Sequence, residues 1–472
     1  MRVAEAIRKA LLDRGDRPIL FDMSGRSLSG KELVERVDRL AGSLFDRRLK
    51  TGIVGLWYRN SFAAVEAFLA TEWIGGTRIA VDPNAQPAEA LATFQAAGAE
   101  LIMADRSHAA MIGNTAALHD DDAPWFGKPR PPVRDVSPDK AVSLYPRAVI
   151  DGKLFAVAFS YGNWDAIVGI NVDLYRGGAF GNWQEEAECF LASQQIMHAT
   201  GFLGTFPFLS MGLPQVLVDE FAADRVLDAI DRHRVTATML VPQMLSRLIG
   251  PAEARPQAAA SLRHVLYGGG PVELEDVRRA LRRLGPTLSQ VYGRMEGGWP
   301  IAILGTEEHR AVLGGDDRLA LSCGRPIDQV AIRLRPVASH EDGTGELCVA
   351  SRMTVQEYKG TDGFCSLGDI MHRDEQGYLF YRGRLDRMIN TGYHIYPAEI
   401  EEVIAAVAGV GRVLVVGEKS REWGETVVAY VVPDAADPDA RLADRIKHEV
   451  AARLARYKIP REFRIVKQLP GT

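Results

Sequence analysis

The sequence predicts an α/β fold followed by a smaller α+β unit, and three observations lead to this prediction. Segments with helical and strand-like hydrophobic spacing alternate through most of residues 1–380, which is typical of βαβ units around parallel sheets. Residues 316–350 change to short strands with turn signals such as EDGTGE, which indicates a β-rich subdomain. Residues 387–472 then carry a helix and strand pattern of their own.

The individual elements follow from the spacing of apolar residues. The predicted helices of the large region are 30–45, 62–73, 87–97, 222–233 and 243–249, and its predicted strands are 52–57, 78–81, 99–105, 236–241 and 264–270. In the last unit we predict helices at 397–407 and 440–455 and strands at 412–418, 426–432 and 461–466. Residues 114–140 are rich in Asp and Pro and predict a surface linker.

Composition argues against several classes of protein. The chain has 472 residues, of which 47% are hydrophobic, enough for large buried cores. A net charge of −5 without a long basic run argues against nucleic acid or an anionic membrane as a partner. The cysteines are widely spaced without a CxxC motif, so neither a disulfide framework nor a zinc site is expected, and the expected compartment is a reducing cytoplasm. The first 18 residues predict an amphipathic helix rather than a secretion signal, and no apolar run reaches the roughly 18 residues of a membrane span.

The most informative stretch is residues 368–402, GDIMHRDEQGYLFYRGRLDRMINTGYHIYPAEIEE. Asp369 follows a glycine at a turn, where a carboxylate can accept two hydrogen bonds from a ribose diol. DEQG followed by the alternating YLFYRG predicts a β-hairpin. Pro397 opens a helix, since a proline at an early helical position loses no hydrogen bond.

Motifs in a fixed order extend over nearly the whole chain. They are YGGGP (267–271), QVYGRMEGG (290–298), GD (368–369), GYLFYRGRLDRMI (377–389), GYHIYPAEIE (392–401) and YKIP (457–460). Upstream stand LSGKELVERVDRLAGSL and RNSFAAVEAFLATEWIGGTRIAVDPNAQPAEA. This order resembles the AMP-forming acyl-CoA synthetase, adenylation-domain and luciferase superfamily. One such motif would be weak evidence, whereas six in order are specific.

The resemblance implies a fold and a reaction. It implies an AMP-binding domain over residues 1–385, with two sheets flanked by helices and a β-rich subdomain at about 316–385, capped by a small mobile domain over 387–472. It also implies an acid–thiol ligase, in which ATP and a carboxylic acid form an acyl-adenylate and a thiol then displaces AMP. The implied ligands are ATP/AMP, Mg²⁺ and CoA or the phosphopantetheine of an acyl carrier protein.

The resemblance assigns the nucleotide-binding residues. Asp369 would bind the ribose hydroxyls with help from Arg384, and Glu296 would hold Mg²⁺, a cation that prefers oxygen ligands. Tyr292 would stack on adenine. The backbone around the base would come from Gly268, Gly269, Gly270, Pro271 and Gly293.

It also assigns residues to the second half of the reaction. His198 matches a position near the acyl carboxylate and the thiol entrance, and Asp386 would be the hinge that absorbs the rotation of the small domain. The loop that would line the pantetheine tunnel carries Gly392, Tyr393, His394 and Tyr396.

Each assignment has a plainer alternative. Taken alone, Asp369 is ordinary turn chemistry, Arg384 and Asp386 form a weak surface ion pair, and His198 is a core histidine with satisfied hydrogen bonds. Tyr292 then marks a strand end, and Glu296 is a solvated residue of a Gly-rich loop. The order of the motifs favours the functional alternative.

The sequence departs from the family pattern where ATP phosphates are handled. The phosphate-binding loop, normally rich in Ser, Thr and Gly, falls on residues 147–155, RAVIDGKLF, where only Gly152 survives and Lys153 is displaced. Backbone N–H groups freed by glycine and hydroxyl donors build such a cradle, and this segment offers few of either. Met295 stands where the family places a Thr, and the sequence ends at LPGT, before the Gly-Lys expected there.

Two hypotheses follow. The first is a ligase that forms a thioester with CoA or a carrier protein. The second is a non-adenylating relative that binds an acyl-CoA, acyl-carrier or adenylate ligand, as an acyltransferase or a non-catalytic subunit. We favour the ligase, because the motifs indicate the family firmly and the altered loop is one segment.

Overall fold

The computed structural model describes residues 2–125, 127–133, 135–270, 272–337, 343–385, 388–420, 423–434 and 441–470, apart from the side chains of Leu203 and His394. A large N-terminal region built on sheets is followed by a smaller α+β domain, so the predicted fold class is confirmed. Asp386 and Pro271 lie outside the described residues. Among the described helices, none has the length and apolar character to cross a membrane.

The longest sheet runs through the middle of the N-terminal region. Its strands lie in the order Arg325–Pro326, Gly298–Leu304, Leu288–Arg294, His264–Gly268, Ala237–Leu240, Phe190–Ala192, Gln215–Leu217, Pro18–Asp22 and Ser27–Ser29. Neighbours are parallel from Leu288–Arg294 to Pro18–Asp22, and the strands beyond them are antiparallel. The carboxyl ends of the parallel strands therefore meet at one edge, where ligand-binding loops of α/β sheets collect.

A second sheet packs in the same region. Its strands lie in the order Ala117–Leu118, Leu101–Ala104, Ile53–Trp57, Thr77–Ala80, Ala141–Ile150 and Lys153–Ser160. The last two are antiparallel and form a hairpin over residues 141–160, which we call the edge hairpin. Its turn is Asp151-Gly152, with φ of 48° and 69°.

The edge hairpin lies where the sequence analysis placed an altered phosphate-binding loop. The residues explain why this segment forms a hairpin. Val149 and Ile150 are β-branched and favour extended backbone. Asp-Gly is a preferred pair for a two-residue hairpin turn with positive φ at both positions. The segment is therefore paired strand with a tight turn rather than an open loop.

The β-rich subdomain is an antiparallel sheet in the order Ala331–Pro336, Thr344–Ala350, Cys365–Arg373 and Leu379–Arg384. Its last two strands form the hairpin predicted from DEQG. In their register, Asp369 lies directly opposite Arg384. The pairing places the candidate ribose carboxylate beside a guanidinium group.

The small domain has a core of its own. Its strands are Ile389–Asn390 paired with His394–Ile395, and Val410–Ser420, Gly424–Pro433 and Glu462–Ile465 in one sheet. Helices Pro397–Ala405 and Leu442–Arg453 cover that sheet through Ile400, Ile404, Ile446 and Val450, all of them fully buried. A separate apolar core is consistent with a unit that can move as one body.

The remaining helices surround the two large sheets. They are Val3–Arg14, Gly30–Asp46, Phe62–Trp73, Pro87–Ala96, Arg106–Ile112, Tyr161–Arg176, Ala199–Met211, Ala223–His233, Pro242–Ala254, Leu274–Leu284, Thr306–Leu313 and Asp317–Ala320, with single 3₁₀ turns at Gly113–Thr115, Glu185–Ala187, Pro256–Ala259, Gln356–Tyr358 and Arg456–Lys458. Every residue of Phe62–Trp73 is buried, so this helix lies inside the N-terminal region.

Candidate active site

A cleft of about 2320 Å³ opens between the N-terminal region and the small domain. Its walls come from the carboxyl ends of parallel strands on one side and from the small domain on the other. The sequence-predicted residues that line it are His198, Gly268, Gly269, Gly270, Tyr292, Gly293, Asp369, Arg384, Gly392, Tyr393 and Tyr396. Residues far apart in the sequence thus meet in one place.

Asp369 is the centre of a hydrogen-bonded group in this cleft. The hydroxyl of Tyr292 donates to its Oδ2 at 2.5 Å, and Arg384 donates to its Oδ1. Asp369 is only 3% exposed. Burial, and then the charge of Asp369, raise the pKa of Tyr292, so this phenol stays a neutral donor. The carboxylate is thereby held in place at the wall of the cleft.

The wall beside Tyr292 depends on close backbone approach. A Cβ on Gly268 would lie 2.1 Å from the carbonyl oxygen of Val291, on the neighbouring strand. A Cβ on Gly270 would lie 3.7 Å from the Cα of Gly392, so the two domains come together at this point. A flat planar base can lie against such a side-chain-free wall.

His198 and Tyr393 form the opposite part of the cleft. Nε2 of His198 lies 3.0 Å from Oδ2 of Asp82, which follows strand Thr77–Ala80. The ring of Tyr393 lies 5.8 Å from the His198 ring and stacks at 4.2 Å on Tyr457. Burial by itself would raise the pKa of Asp82, but the hydrogen bonds from His198 and from the N–H of Asn84 hold it below its usual value. Asp82 therefore remains a carboxylate that fixes the imidazole.

Glu296 is engaged by protein cations. Arg147 of the edge hairpin ion-pairs with its Oε1, and Arg294 lies 3.6 Å from the same oxygen. Burial would raise the pKa of Glu296, but Arg294 and Arg147 hold it below its usual value. Arg147 lines the cleft, whereas Glu296 is 6% exposed beneath it. Both guanidinium groups lie at Oε1, whereas Oε2 of Glu296 has no hydrogen-bond partner among the described residues. A magnesium ion held by this carboxylate would lie beside two cations, so the residues present do not suit the metal.

Other candidate metal ligands are lacking in the described ranges. No group of three or more His, Cys, Asp or Glu side chains within them is arranged to hold a metal ion. Met295, which lines the cleft next to Glu296 in sequence, offers no oxygen ligand. Arginine side chains therefore dominate the surroundings of Glu296.

Family models match most of the chain. The model described as AMP-binding enzyme matches residues 7–141 and 168–359, and that of the AMP-binding enzyme C-terminal domain matches 399–472. The chain belongs to the AMP-binding enzyme family. The family's C-terminal domain corresponds to the small domain that closes the cleft.

Relatives of this AMP-binding enzyme are ligases. It is 27% identical to the medium/long-chain-fatty-acid–CoA ligase FadD8 of Mycobacterium tuberculosis, over 98% of this chain and 86% of that one. It is 34% identical to the indoleacetate–CoA ligase of Aromatoleum aromaticum, over 60% of this chain and 56% of that one. The latter alignment spans little more than half of that relative. The chain is thus an enzyme of the AMP-forming acyl-CoA ligase type.

Solved structures share the fold over the whole chain. The amide bond synthetase McbA of Marinactinospora thermotolerans has a TM-score of 0.85 at 26% identity, covering 100% of this chain and 97% of that one. The o-succinylbenzoate CoA synthetase MenE of Bacillus subtilis, bound with a product analogue, has a TM-score of 0.84 at 23% identity, covering 98% and 95%. Both support the same two-part architecture.

A buried lysine joins the small domain of this AMP-binding enzyme to its N-terminal region. Nζ of Lys458, in the YKIP motif, lies 2.5 Å from Glu89 of helix Pro87–Ala96 and 2.9 Å from Glu399 of its own domain. Glu89 also accepts the backbone N–H of Ala455 at 2.6 Å. We call Lys458, Glu89 and Glu399 the interdomain ion cluster. It fixes the docked position of the small domain.

The interdomain ion cluster predicts that the stability of the protein depends on pH. Burial raises the pKa of Glu399 to about 7 from 4.5, because the buried site disfavours the carboxylate, while Lys458 acts in the opposite direction. The stability that this residue contributes is therefore complete below pH 4.5 and is lost as pH rises through about 7. We expect the melting temperature of wild type to fall between pH 6 and pH 8 by more than that of Glu399→Gln, which stays neutral. Parallel melting curves for the two proteins would contradict this assignment.

Sequence reasoning missed several residues of the site. Asp82 and Glu89 stand in the upstream motif, Arg147 in the altered loop, Arg294 in QVYGRMEGG and Tyr457 in YKIP, but none of these residues was assigned a role. One signal was available: aspartate directly after a predicted strand, in VDP, is a common position for a functional carboxylate. His394 has no described side chain, and Lys153 is exposed at the start of a hairpin strand.

Proposed function

We propose that this enzyme is an acid–thiol ligase whose docked arrangement serves thioester formation. Its ligands would be ATP or AMP, a carboxylic acid activated as the acyl-adenylate, and the thiol of CoA or of a carrier-protein phosphopantetheine. One observation carries the proposal: the Tyr292–Asp369–Arg384 group and the Asp82–His198 pair line the same cleft, with Tyr393 of the docked small domain facing His198. This arrangement would place a nucleotide site and a nucleophile site in one cleft.

The geometry supports a specific course for the thiol step. With Nε2 of His198 held by Asp82, Nδ1 is the ring nitrogen that would accept the thiol proton. The sulfur would attack the acyl carbon, the bond from that carbon to the phosphate oxygen would break, and AMP would leave with the bonding electrons. Asp369 would hold the ribose throughout, so that the leaving group stays in place until the bond is broken.

Supplying the intermediate tests the proposal directly. Synthetic benzoyl-adenylate and hexanoyl-adenylate would be mixed with CoA or with pantetheine, and AMP release and thioester would be measured together. We expect stoichiometric AMP and thioester at a rate well above that without protein. Hydrolysis to the free acid with no thioester, for both adenylates and both thiols, would refute the proposed function.

A second candidate is a relative that uses a ready-made adenylate or acyl thioester and does not adenylate an acid itself. The edge hairpin favours it, because the paired strands and the Asp151-Gly152 turn replace the open loop expected around the phosphates. Exchange of labelled pyrophosphate into ATP, driven by a panel of acids, separates the two candidates. Exchange supports the complete ligase. Its absence, in a protein that still converts supplied adenylate, supports the second candidate.

Removal of the ribose carboxylate should weaken nucleotide binding. We expect Asp369→Ala to reduce the free energy of AMP binding by about 1–3 kcal/mol, the scale of a hydrogen bond to a charged group. Calorimetric titration with AMP measures it, and Asp362→Ala, which changes an exposed aspartate on the same subdomain, is the matched control. Equal affinity in wild type and Asp369→Ala would remove the ribose assignment.

A further inference from the structure

The edge hairpin projects one arginine into the place where the family resemblance calls for a metal. Arg147 ion-pairs with Glu296, and its guanidinium carbon lies 5.5 Å from the ring centres of Tyr358 and Tyr396. Tyr358 belongs to the N-terminal region and Tyr396 to the small domain, so the cation is held between the two. Its side chain is 19% exposed and lines the cleft. Arg147 is therefore fixed and still accessible to a ligand.

Local charge opposes a divalent cation. Glu296 faces two guanidinium groups, Arg147 and Arg294, and Arg294 also lies 3.8 Å from Asp369. Adding a doubly charged ion would bring it against both guanidinium groups, and like charges at such range repel strongly in a buried site. A phosphate monoester, which carries about −1.5 to −2 charges near pH 7, has the opposite sign. The cluster suits an anion better than a metal.

The backbone of the edge hairpin holds Arg147 in this position. Pro146 pairs with Ala156 and Ala148 pairs with Phe155, so Arg147 lies at a β-bulge between two paired stretches of the hairpin. At the tip, the N–H of Asp151 donates to Glu402 of the small domain at 3.3 Å. The family model matches on both sides of this segment and leaves residues 142–167 unmatched. The unmatched segment thus includes the edge hairpin, the element that carries Arg147.

We infer that Arg147 takes the place of the magnesium ion, so that the cleft binds the phosphate of AMP or of an acyl-adenylate without a divalent cation. This inference rests on the proposed function, since it assumes that the cleft holds an adenosine nucleotide. A guanidinium has five N–H donors, so Arg147 can bond Glu296 and a phosphate oxygen together. The ion pair with Glu296 then orients the arginine rather than blocking it.

Calorimetric titration of the full chain with AMP, in EDTA and in excess Mg²⁺, tests the inference. We expect wild type to bind AMP with the same affinity in both buffers. Arg147→Met should weaken binding in EDTA by about 10- to 100-fold, the scale of one charge-assisted hydrogen bond. Added Mg²⁺ should restore part of that loss, because Glu296 is then free to hold the metal, and should restore nothing in the double variant Arg147→Met with Glu296→Gln.

Further variants make the test specific. Glu296→Gln should bind AMP at least as tightly as wild type in EDTA, whereas a protein that used Glu296 as a metal ligand would lose affinity in Mg²⁺. Arg176→Met removes an exposed arginine paired with Glu185 and is the matched control, with no change expected. If Arg147→Met does not fold, the two wild-type titrations and the titration of Glu296→Gln still test whether AMP binds without a divalent cation.

The outcomes are distinct. Loss of wild-type affinity on removal of Mg²⁺ would overturn the inference and leave the proposed function standing, and so would an Arg147→Met protein that binds AMP like wild type. Failure of AMP to bind in either buffer would overturn the proposed function and the inference with it.

Discussion

Replacing His198 with alanine is expected to slow thioester formation from supplied acyl-adenylate by about 10²–10⁴-fold, the usual contribution of a positioned general base. The imidazole is held by Asp82 and lies beside Tyr393, so its loss leaves the thiol without a proton acceptor at neutral pH. AMP affinity should not change, because the ribose group around Asp369 is separate from His198. Stopped-flow or quenched assays of thioester and a titration with AMP provide the two measurements.

A pH profile distinguishes a base from a structural residue. A thiol ionises without help above about pH 8.5, so the ratio of the thioester-forming rates of wild type and His198→Ala should become smaller there. Asp82→Asn, which removes the positioning carboxylate, should lower kcat with less effect on KM for the thiol. His448→Ala, on an exposed face of the small domain, is the control. A ratio of the two rates that is the same at all pH values would argue against proton transfer by His198.

The second large effect is expected from Lys458→Ala. This change leaves Glu89 and Glu399 facing one another in a buried contact without their cation, and breaking a buried pair in this way costs about 3–5 kcal/mol. We expect the small domain to undock, with a lower melting temperature and a loss of thioester formation, while AMP still binds. Thermal unfolding and the supplied-adenylate assay measure the two consequences.

Neutralising the partners checks the cause. Lys458→Met combined with Glu89→Gln and Glu399→Gln removes all charges of the interdomain ion cluster, and this variant should recover most of the lost stability. Lys467→Ala, an exposed lysine near the last strand, is the matched control. If Lys458→Ala matches wild type in both assays, the cluster does not hold the domains together.

The sequence predicted much of the local structure and named residues that meet in the cleft. Helix Phe62–Trp73 and the strands around Gly268 lie close to their expected bounds, because hydrophobic period and flanking turns determine them. Asp369, Arg384 and Tyr292 were assigned to nucleotide binding from motifs, and the structure brings them into contact. Their roles remain predictions, which the Asp369→Ala titration tests.

The rest of the site depends on contacts that periodicity does not encode. Asp82 and His198 are 116 residues apart, and Lys458 and Glu89 are 369 apart, so only the packing of sheets and domains brings them together. The edge hairpin did leave a signal, an Asp-Gly pair between β-branched and alternating residues.

The stack of Tyr393 on Tyr457 has a consequence for how an acyl-adenylate would be protected from water. Both rings belong to the small domain, whereas His198 belongs to the N-terminal region. The proposed entrance for the thiol is therefore enclosed on both sides only while the two domains are in contact. Water can also attack an acyl-adenylate, because it is far more abundant than the thiol even though it is a weaker nucleophile. We therefore expect the docked form to protect an acyl-adenylate from hydrolysis, and variants that loosen the docking should release more free acid.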